Sequence, residues 1–371
     1  MIIGVPVEIK IKEFRVGLTP ASVRELTGYH HQVIVQTGLG AGIGFTDQDY
    51  IDAGAQIVPT AEDVYEQAEL IVKVKEPQPS EFRLIRQNQI LFTYLHLAPD
   101  PVQAEALIKS GCIAVAYETV TGIHGDLPLL SPMSQVAGRL SIQAGAHCLE
   151  KSQGGSGILL GGVPGVPPAK VVVIGGGVVG TNAIRMAMGL EAKVTVLDKS
   201  LYRLQELDFQ FGGRITTAYA SAANMEQFVI DADLVIGAVL VAGEAAPKLV
   251  NRDMLSRMRS GSVVVDVAID QGGCFETSRP TTHDSPTYVV ENIVHYCVTN
   301  MPGGVPRTST FALNNATLPF IIQLANKGYH KALLDNVHLR DGLNVCCGHI
   351  THQGVAKDLN KEYRPAIEFL Q

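Results

Sequence analysis

The chain has 371 residues, of which 46% are hydrophobic and 18% are charged, and its formal net charge is -7. This length exceeds that of an ordinary single domain and predicts two domains, each with enough apolar residues for a core. The negative charge argues against a nucleic-acid partner, which usually requires a basic surface. No uninterrupted apolar run approaches the roughly 20 residues that a bilayer requires, so we expect no membrane span.

The N-terminus and the cysteines indicate a cytoplasmic protein. The first residues, MIIGVPVEIKIKEF, lack the layout of a cleavable signal, and the six cysteines form no CxxC pair. Reduced thiols are therefore expected. The segment CCGHITH holds Cys346, Cys347, His349 and His352. A metal site there is conceivable, but zinc ligands are usually better separated, so we expect buried thiols near a loop and no metal.

In the first third of the chain, short apolar runs alternate with amphipathic segments. The predicted strands are MIIGV, QVIVQ, LIVKVK, ILFTYL and IAVAY, and the predicted helices are TPASVRELT, TAEDVYEQA and DPVQAEALIKS. Strands that alternate with helices indicate a parallel, doubly wound sheet.

The middle third repeats this pattern, with predicted strands KVVVIG, KVTVLD, RITTAY, ADLVIGAV, SVVVDVAI and HYCVTN, and the helical segment FALNNATLPFIIQLANK follows. The remaining residues are too few for a third domain and are expected to complete the first. We therefore predict an α/β protein of two doubly wound, Rossmann-like domains with an interdomain cleft. The outer domain is discontinuous (residues 1–128 and 306–371), and residues 129–305 form the second domain.

A glycine-rich turn carries the clearest binding signal. Gly175, Gly177 and Gly180 form G-x-G-x-x-G between an apolar strand and an amphipathic segment. These glycines suit a tight turn, the close approach of a pyrophosphate and close helix packing, respectively. Asp198 ends the next predicted strand, where a carboxylate binds ribose hydroxyls and repels a 2′-phosphate. The pattern predicts NAD rather than NADP, although the nearby Lys199 and Arg203 weaken that preference.

Four further residues lie at element ends where a nicotinamide enzyme needs them. Arg15 suits a substrate carboxylate, with an ordinary surface arginine as the alternative. Lys75 closes LIVKVKEP, where two alternating lysines equally suit a solvated strand edge. His96 suits acid–base chemistry or a structural role, and Asp270 suits catalysis or turn initiation. We expect all four to open onto the cleft.

The chain resembles the alanine dehydrogenase and pyridine nucleotide transhydrogenase family along essentially its whole length. The resemblance lies in KEFRVGLTP, VKVKEP, YLHLA, MSQVAGRLSIQAGA, GILLGGVPGVPPAKVVVIGGGVVG, VVVDVAIDQGG and NMPGGVPRTSTFALNNAT. It implies NAD-dependent, reversible conversion of L-alanine to pyruvate and ammonium by a homohexamer. It also implies that Arg15 holds the carboxylate and Lys75 the keto oxygen, and that His96 and Asp270 are catalytic.

The resemblance further implies a set of cofactor contacts. The residues are Ser134, Gly175, Gly177, Val179, Gly180, Asp198, Arg203, Ser221, Val239, Leu240, Ile269, Asp270, Asn300 and Met301. Whether Ala220 or Ser221 faces the adenine stays open. Two rival functions also remain. One is a soluble transhydrogenase-type subunit, which does not require Arg15, Lys75 and His96, and the other is a catalytically silent NAD-binding or sensing protein.

Overall fold

The computed structural model describes residues 1–239 and 246–371. In chain order the strands are β1 (Ile2–Val5), β2 (Gln32–Gln36), β3 (Gln56–Val58), β4 (Leu70–Val72), β5 (Ile90–Thr93), β6 (Ile113–Ala116), β7 (Lys170–Ile174), β8 (Lys193–Asp198), β9 (Ile215–Tyr219), β10 (Leu234–Gly237), β11 (Val263–Asp266), β12 (Thr287–Val290), β13 (Ile293–Tyr296), β14 (Leu343–Cys346) and β15 (His349–Ile350). The α-helices are α1 (Pro20–Gly28), α2 (Asp47–Asp52), α3 (Ala61–Gln67), α4 (Pro101–Ser110), α5 (Ser131–Cys148), α6 (Val178–Gly189), α7 (Leu201–Phe211), α8 (Ala222–Ile230), α9 (Arg252–Ser256), α10 (Pro306–Asp335), α11 (Val337–Arg340) and α12 (Gln353–Asp358).

The chain divides into two compact units. The first unit consists of Met1–Met133 with Val305–Gln371, and the second is Ser134–Gly304. Each unit contains one mostly parallel sheet whose strands are connected by helices. The predicted α/β class is therefore confirmed.

The first unit has an eight-stranded sheet in the order β3-β2-β1-β4-β5-β6-β14-β15. The six strands from β3 to β6 are parallel, whereas β14 and β15 pair antiparallel at the far edge. The strand order reverses between β1 and β4. In open parallel sheets, ligands bind at the carboxyl ends of the strands near such a reversal.

The second unit repeats this topology in a seven-stranded sheet, β9-β8-β7-β10-β11-β13-β12. All pairs are parallel except the edge pair of β12 and β13. The central strands β10 and β11 are buried along their whole length, which explains why every residue before Gly237 and Asp266 at their ends is apolar. The reversal of strand order lies here between β7 and β10.

The strand predictions fail mainly at boundaries and edges. The strand β4 ends at Val72, so both lysines of LIVKVK follow the strand, and β13 lies earlier than HYCVTN predicted. Four strands were not predicted: β3, β12, β14 and β15. Each of these is at or next to a sheet edge and has at most four residues, so its apolar pattern is too short to identify from sequence.

The long helix α10 fixes the segment that follows β1. It contains Pro319, and its helical geometry is interrupted at Gly328, where φ is 69°. The buried Asn314 side chain accepts a hydrogen bond from the Thr19 amide at 2.7 Å and donates to the Val16 carbonyl at 3.2 Å. Because these bonds flank Arg15 on its C-terminal side, they restrain the backbone that carries it. Within the described ranges, no helix has the length and apolar character to cross a membrane.

Candidate functional site

The candidate residues of the first unit all follow the carboxyl ends of neighbouring parallel strands. Arg15 lies after β1, Lys75 after β4, and His96 after β5. Glu118, which the sequence analysis did not identify, follows β6. Parallel strands bring their carboxyl ends to one edge of the sheet, so these side chains share that edge.

Arg15 is held by a buried carboxylate. Its side chain is only 2% exposed, so the alternative of an ordinary surface arginine is wrong. Nε donates to Glu13 Oε1 at 2.6 Å, Nη2 donates to Oε2 at 2.5 Å, and Nη1 contacts Met133 Sδ at 3.1 Å. Burial opposes the charge on Arg15, but the Glu13 carboxylate outweighs it and raises the pKa of the guanidinium. The cation is therefore fixed in one orientation.

The first lysine of LIVKVK, Lys73, forms buried ion pairs with two glutamates. Lys73 is only 1% exposed, which excludes a solvated edge for this residue. Its Nζ lies 3.1 Å from Glu8 Oε2 and 3.0 Å from Glu81 Oε1. Glu8 Oε1 in turn accepts hydrogen bonds from the amides of Val74 at 2.6 Å and Lys75 at 3.2 Å. This buried network fixes the backbone that carries Lys75.

Lys75 itself is placed where its charge is disfavoured. Burial is the main cause that lowers the pKa of its ammonium group, and the positive charge of Arg15 lowers it further. The Thr93 hydroxyl donates to the Lys75 carbonyl at 2.9 Å and links the end of β5 to this segment. A lysine in such surroundings gains most from an incoming negative charge.

His96 has an unusual backbone and an accessible ring. Its φ is 48°, and its side chain is 47% exposed, which argues against a buried structural histidine. The ring stacks on Tyr94 with 5.8 Å between centroids and 5° between planes. Glu118 Oε1 accepts the His96 amide proton at 2.6 Å and lies 3.9 Å from Nδ1 of the ring. One carboxylate thus holds the strained backbone and faces the ring.

In the second unit, the glycine turn joins β7 to α6, with Gly177 at the helix N-cap. A Cβ atom on Gly180 would lie 1.8 Å from the Gly175 carbonyl oxygen. Gly175 has φ of 97°, and a Cβ there would lie 2.7 Å from the Ala238 oxygen. A Cβ on Gly177 would meet nothing within 4 Å. Two glycines are thus required by packing, whereas Gly177 leaves open space beside the helix N-terminus, which suits a phosphate.

Asp198 and Arg203 both bond to this turn. Asp198 Oδ2 accepts the Gly176 amide at 2.7 Å, and Oδ1 accepts the Ser200 amide at 2.8 Å. Arg203 Nε donates to the Gly176 carbonyl at 2.7 Å, and Nη2 donates to the Thr181 hydroxyl at 2.6 Å. Both side chains therefore brace the turn, a role that the sequence analysis did not predict for either.

The other predicted cofactor residues lie mostly after the strands of the same sheet. Val239 follows β10, and its Cγ2 would be 3.2 Å from a Cβ on Gly175. Ser221 follows β9 and caps α8 by accepting the Asn224 amide at 3.2 Å. The remaining positions are described by location: Ile269 and the exposed Asp270 follow β11, Asn300 and the buried Met301 follow β13, Val179 lies in α6, and Ser134 lies in α5. Leu240 lies outside the described residues.

The segment CCGHITH forms a hairpin and a helix cap. Cys346 and His349 are cross-strand partners of β14 and β15, and His352 Nδ1 accepts the Val355 amide at 3.3 Å. Cys346 is buried, whereas Cys347 is exposed. Among residues 1–239 and 246–371, no three His, Cys, Asp or Glu side chains are grouped as metal ligands.

The sequence analysis missed Lys73, Glu118 and Asp266, because each has a partner that is distant in sequence. It also missed Tyr94 and Glu13, whose partners His96 and Arg15 lie only two positions away. A carboxylate two positions before a candidate arginine is a usable signal in the sequence.

Comparison with known proteins gives the family directly. Residues 4–137 match the alanine dehydrogenase/PNT N-terminal domain, and residues 141–353 match the C-terminal domain of the same family. The chain belongs to the alanine dehydrogenase/PNT family. It is 58% identical over 370 residues to alanine dehydrogenase of Halomonas elongata and 53% identical over 370 residues to that of Mycolicibacterium smegmatis. Each of these alignments covers 100% of both chains.

Solved structures of the family agree with the fold. An L-alanine dehydrogenase superposes with a TM-score of 0.95 at 54% identity, covering 97% of this chain and 99% of the other. A transhydrogenase from Sinorhizobium meliloti superposes with a TM-score of 0.81 at 25% identity, covering 95% and 99%. Alanine dehydrogenases and transhydrogenases are oxidoreductases, so the family to which this chain belongs is a family of oxidoreductases.

Proposed function

We propose that this protein catalyses the NAD-dependent, reversible oxidative deamination of L-alanine to pyruvate and ammonium. The observation that carries the proposal is the full-length identity of 58% to a named alanine dehydrogenase. The candidate set supports it, because Arg15, Lys75 and His96 follow three neighbouring strands of one sheet. A transhydrogenase-type function does not require this set.

The chain's own residues have distinct roles in the proposal. Arg15 binds the substrate carboxylate, with its orientation fixed by Glu13. Lys75 donates to the keto oxygen and stabilises the negative charge that develops there. His96 moves protons as water adds to the imine of alanine and the resulting carbinolamine collapses to pyruvate and ammonium. Asp270 acts near the reacting nitrogen.

We propose that the second unit binds NAD. When bound, NAD accepts the hydride from Cα of alanine. The open space beside Gly177 suits the pyrophosphate, and the carboxylate of Asp198 suits the ribose hydroxyls and disfavours a 2′-phosphate. Arg203 does not offset this preference, because its guanidinium is engaged with Gly176, Thr181 and Glu206. The other predicted contacts, including Ser134, Ser221 and Asn300, remain part of this proposal.

An absorbance assay at 340 nm tests the function. We expect NADH to form when the full-length protein is mixed with L-alanine and NAD, and to be consumed with pyruvate and ammonium. NADP should react far more slowly. No alanine-dependent signal, together with hydride exchange between two nucleotides, would favour the transhydrogenase alternative. NADH binding without any turnover would favour a silent sensor.

The family resemblance also leads us to propose a cytoplasmic homohexamer. Light scattering coupled to size-exclusion chromatography tests the assembly, since a hexamer has six times the 39.7 kDa chain mass. A monomeric or dimeric mass with full activity would contradict the proposal.

A further inference from the structure

The loop that carries Asp270 is closed at its base by a buried carboxylate. Asp266 is the last residue of β11. Residues 267–278, which follow it, are called the Asp270 loop. Asp266 Oδ1 accepts the Ala268 amide at 3.1 Å, and Oδ2 accepts the Cys274 amide at 2.9 Å and the Ser278 hydroxyl at 2.5 Å. The carboxylate therefore bonds to both ends of the loop.

Asp266 is fully buried, and its partners are neutral donors. Within the described part of the chain, no lysine or arginine forms an ion pair with it. Burying an unpaired carboxylate is unfavourable unless hydrogen bonds satisfy it. Here hydrogen bonds from Ala268, Cys274 and Ser278 satisfy the carboxylate and fix the loop relative to the end of β11.

Two glycines allow the loop to pack against this carboxylate. Gly273 has φ of 77°, and a Cβ there would lie 2.5 Å from Asp266 Oδ2. On β10, a Cβ on Gly237 would lie 2.3 Å from Cys274 Sγ. The second glycine of the DQGG motif is thus explained by contact with Asp266 rather than by a ligand.

The side chain of Lys248, which lies outside the Asp270 loop in sequence, also binds the backbone of the loop. Lys248 Nζ donates to the Gly272 carbonyl at 2.6 Å and to the Phe275 carbonyl at 3.1 Å. Inside the loop, the amides of Gly272 and Gly273 bond to Ile269 and Ala268, which closes the turn around Asp270. The exposed Asp270 is therefore presented on a loop whose backbone is fixed at several points.

We propose that Asp266 is a positioning residue that acts through Asp270. Its carboxylate fixes the Asp270 loop so that the Asp270 side chain is held where the reaction needs it. This inference rests on the proposed function, in which Asp270 is catalytic. A displacement of about 1 Å in such a group is enough to reduce turnover on the order of 100-fold.

The test is Asp266→Asn in the full-length protein, because the amide replaces one acceptor oxygen with a donor that faces other donors. We expect kcat for alanine oxidation to fall about 10- to 100-fold. The KM for alanine should change less than about threefold because Arg15 is intact. The Kd for NADH, measured by fluorescence, should change less than kcat, because the glycine turn is intact although Ile269 and Asp270 are also proposed cofactor contacts. Ser278→Ala removes one bond only and should reduce kcat less, which keeps the test valid if Asp266→Asn folds poorly.

The matched control is Asp233→Asn in the same unit. Asp233 is also buried and accepts the Lys170 amide at 2.9 Å, but unlike Asp266 it pairs with Arg259, and it precedes β10 and so lies at the opposite edge of the sheet. It should lower the melting temperature without reducing kcat. Equal losses of kcat in Asp233→Asn and Asp266→Asn would mean that both are merely structural.

A double-mutant cycle with Asp270→Asn decides the mechanism. If Asp266 acts through Asp270, then Asp266→Asn has almost no further effect on kcat in the Asp270→Asn background. Fully multiplicative effects, or an unchanged kcat in both Asp266→Asn and Ser278→Ala, would overturn the proposal. Failure of the proposed function is a separate outcome, because the wild type would then form no NADH from alanine.

Discussion

The parallel parts of the two sheets share one strand order but bear different chemistry at their carboxyl ends. In the first unit, charged side chains occupy the segments after β1 and β4, including the buried Arg15 and Lys73. In the second unit, the equivalent segment after β7 is a glycine turn that offers backbone amides and space. A site built from charged side chains needs buried carboxylates as partners, whereas a site built from backbone amides needs positions without side chains. We therefore expect the first unit to be sensitive to the loss of charged residues and the second unit to be sensitive to the replacement of glycines.

The largest expected effect is on acid–base chemistry. We expect His96→Gln to reduce NADH formation from alanine by about 10²–10⁴, the usual contribution of a general acid–base group. The control is His330→Gln, which changes an exposed histidine on α10 and should leave the rate unchanged. A His96→Gln rate within about tenfold of the wild type would exclude the proposed role.

The next effect tests the buried charges of the first unit. Lys73→Met leaves Glu8 and Glu81 without their cation, so we expect the free energy of unfolding to fall by about 3–5 kcal/mol. Lys170→Met removes an exposed ion pair with Asp231 and should lower it by at most about 1 kcal/mol. Chemical denaturation measures both. Equal decreases in the free energy of unfolding for the two variants would show that burial does not make the Lys73 pairs more important for stability than the Lys170 pair.

Lys75→Met separates activity from stability. We expect kcat to fall about 10²–10³-fold, because a donor to the developing oxyanion is lost. Stability should increase at neutral pH, because the folded state no longer buries this charge.

The pH dependence of that gain has a defined sign. The pKa of Lys75 is lowered in the folded protein by burial first and then by Arg15. The unfolded chain therefore binds more protons between the lowered pKa and the ordinary lysine value near 10.4, and wild-type stability rises with pH across this window. The advantage of Lys75→Met should shrink there. A gain that does not depend on pH would contradict this assignment.

The smallest effects on folding are expected in the glycine turn, where two positions differ sharply. Gly180→Ala places Cβ against the Gly175 carbonyl and should cost about 1–3 kcal/mol of stability. Gly177→Ala places Cβ in open space, so stability should change by less than about 0.5 kcal/mol while NADH affinity falls. Unfolding curves and NADH titrations distinguish the two. Unchanged NADH affinity in Gly177→Ala would contradict the close approach of a phosphate.

Much of the molecule was predictable because its signals are local. The apolar runs identified β1, β2, β7 and β8, since a buried parallel strand needs a continuous run of such residues. The glycine spacing identified the turn, because a Cβ at Gly180 is sterically forbidden whatever surrounds the domain. Belonging to the alanine dehydrogenase/PNT family was likewise readable from motifs of contiguous residues.

Only the tertiary structure decided which charges are buried and what they bond to. LIVKVK gives no indication that Lys73 pairs with Glu8 and Glu81, because both partners come from other segments. Glu118 reaches His96 across 22 residues, and Asp266 reaches Ser278 across a loop. The pattern of apolar residues depends on the period of a single element and is therefore written in the sequence. The partners of Lys73, His96 and Asp266 depend on how distant segments are brought together, so they emerge only when the chain has folded.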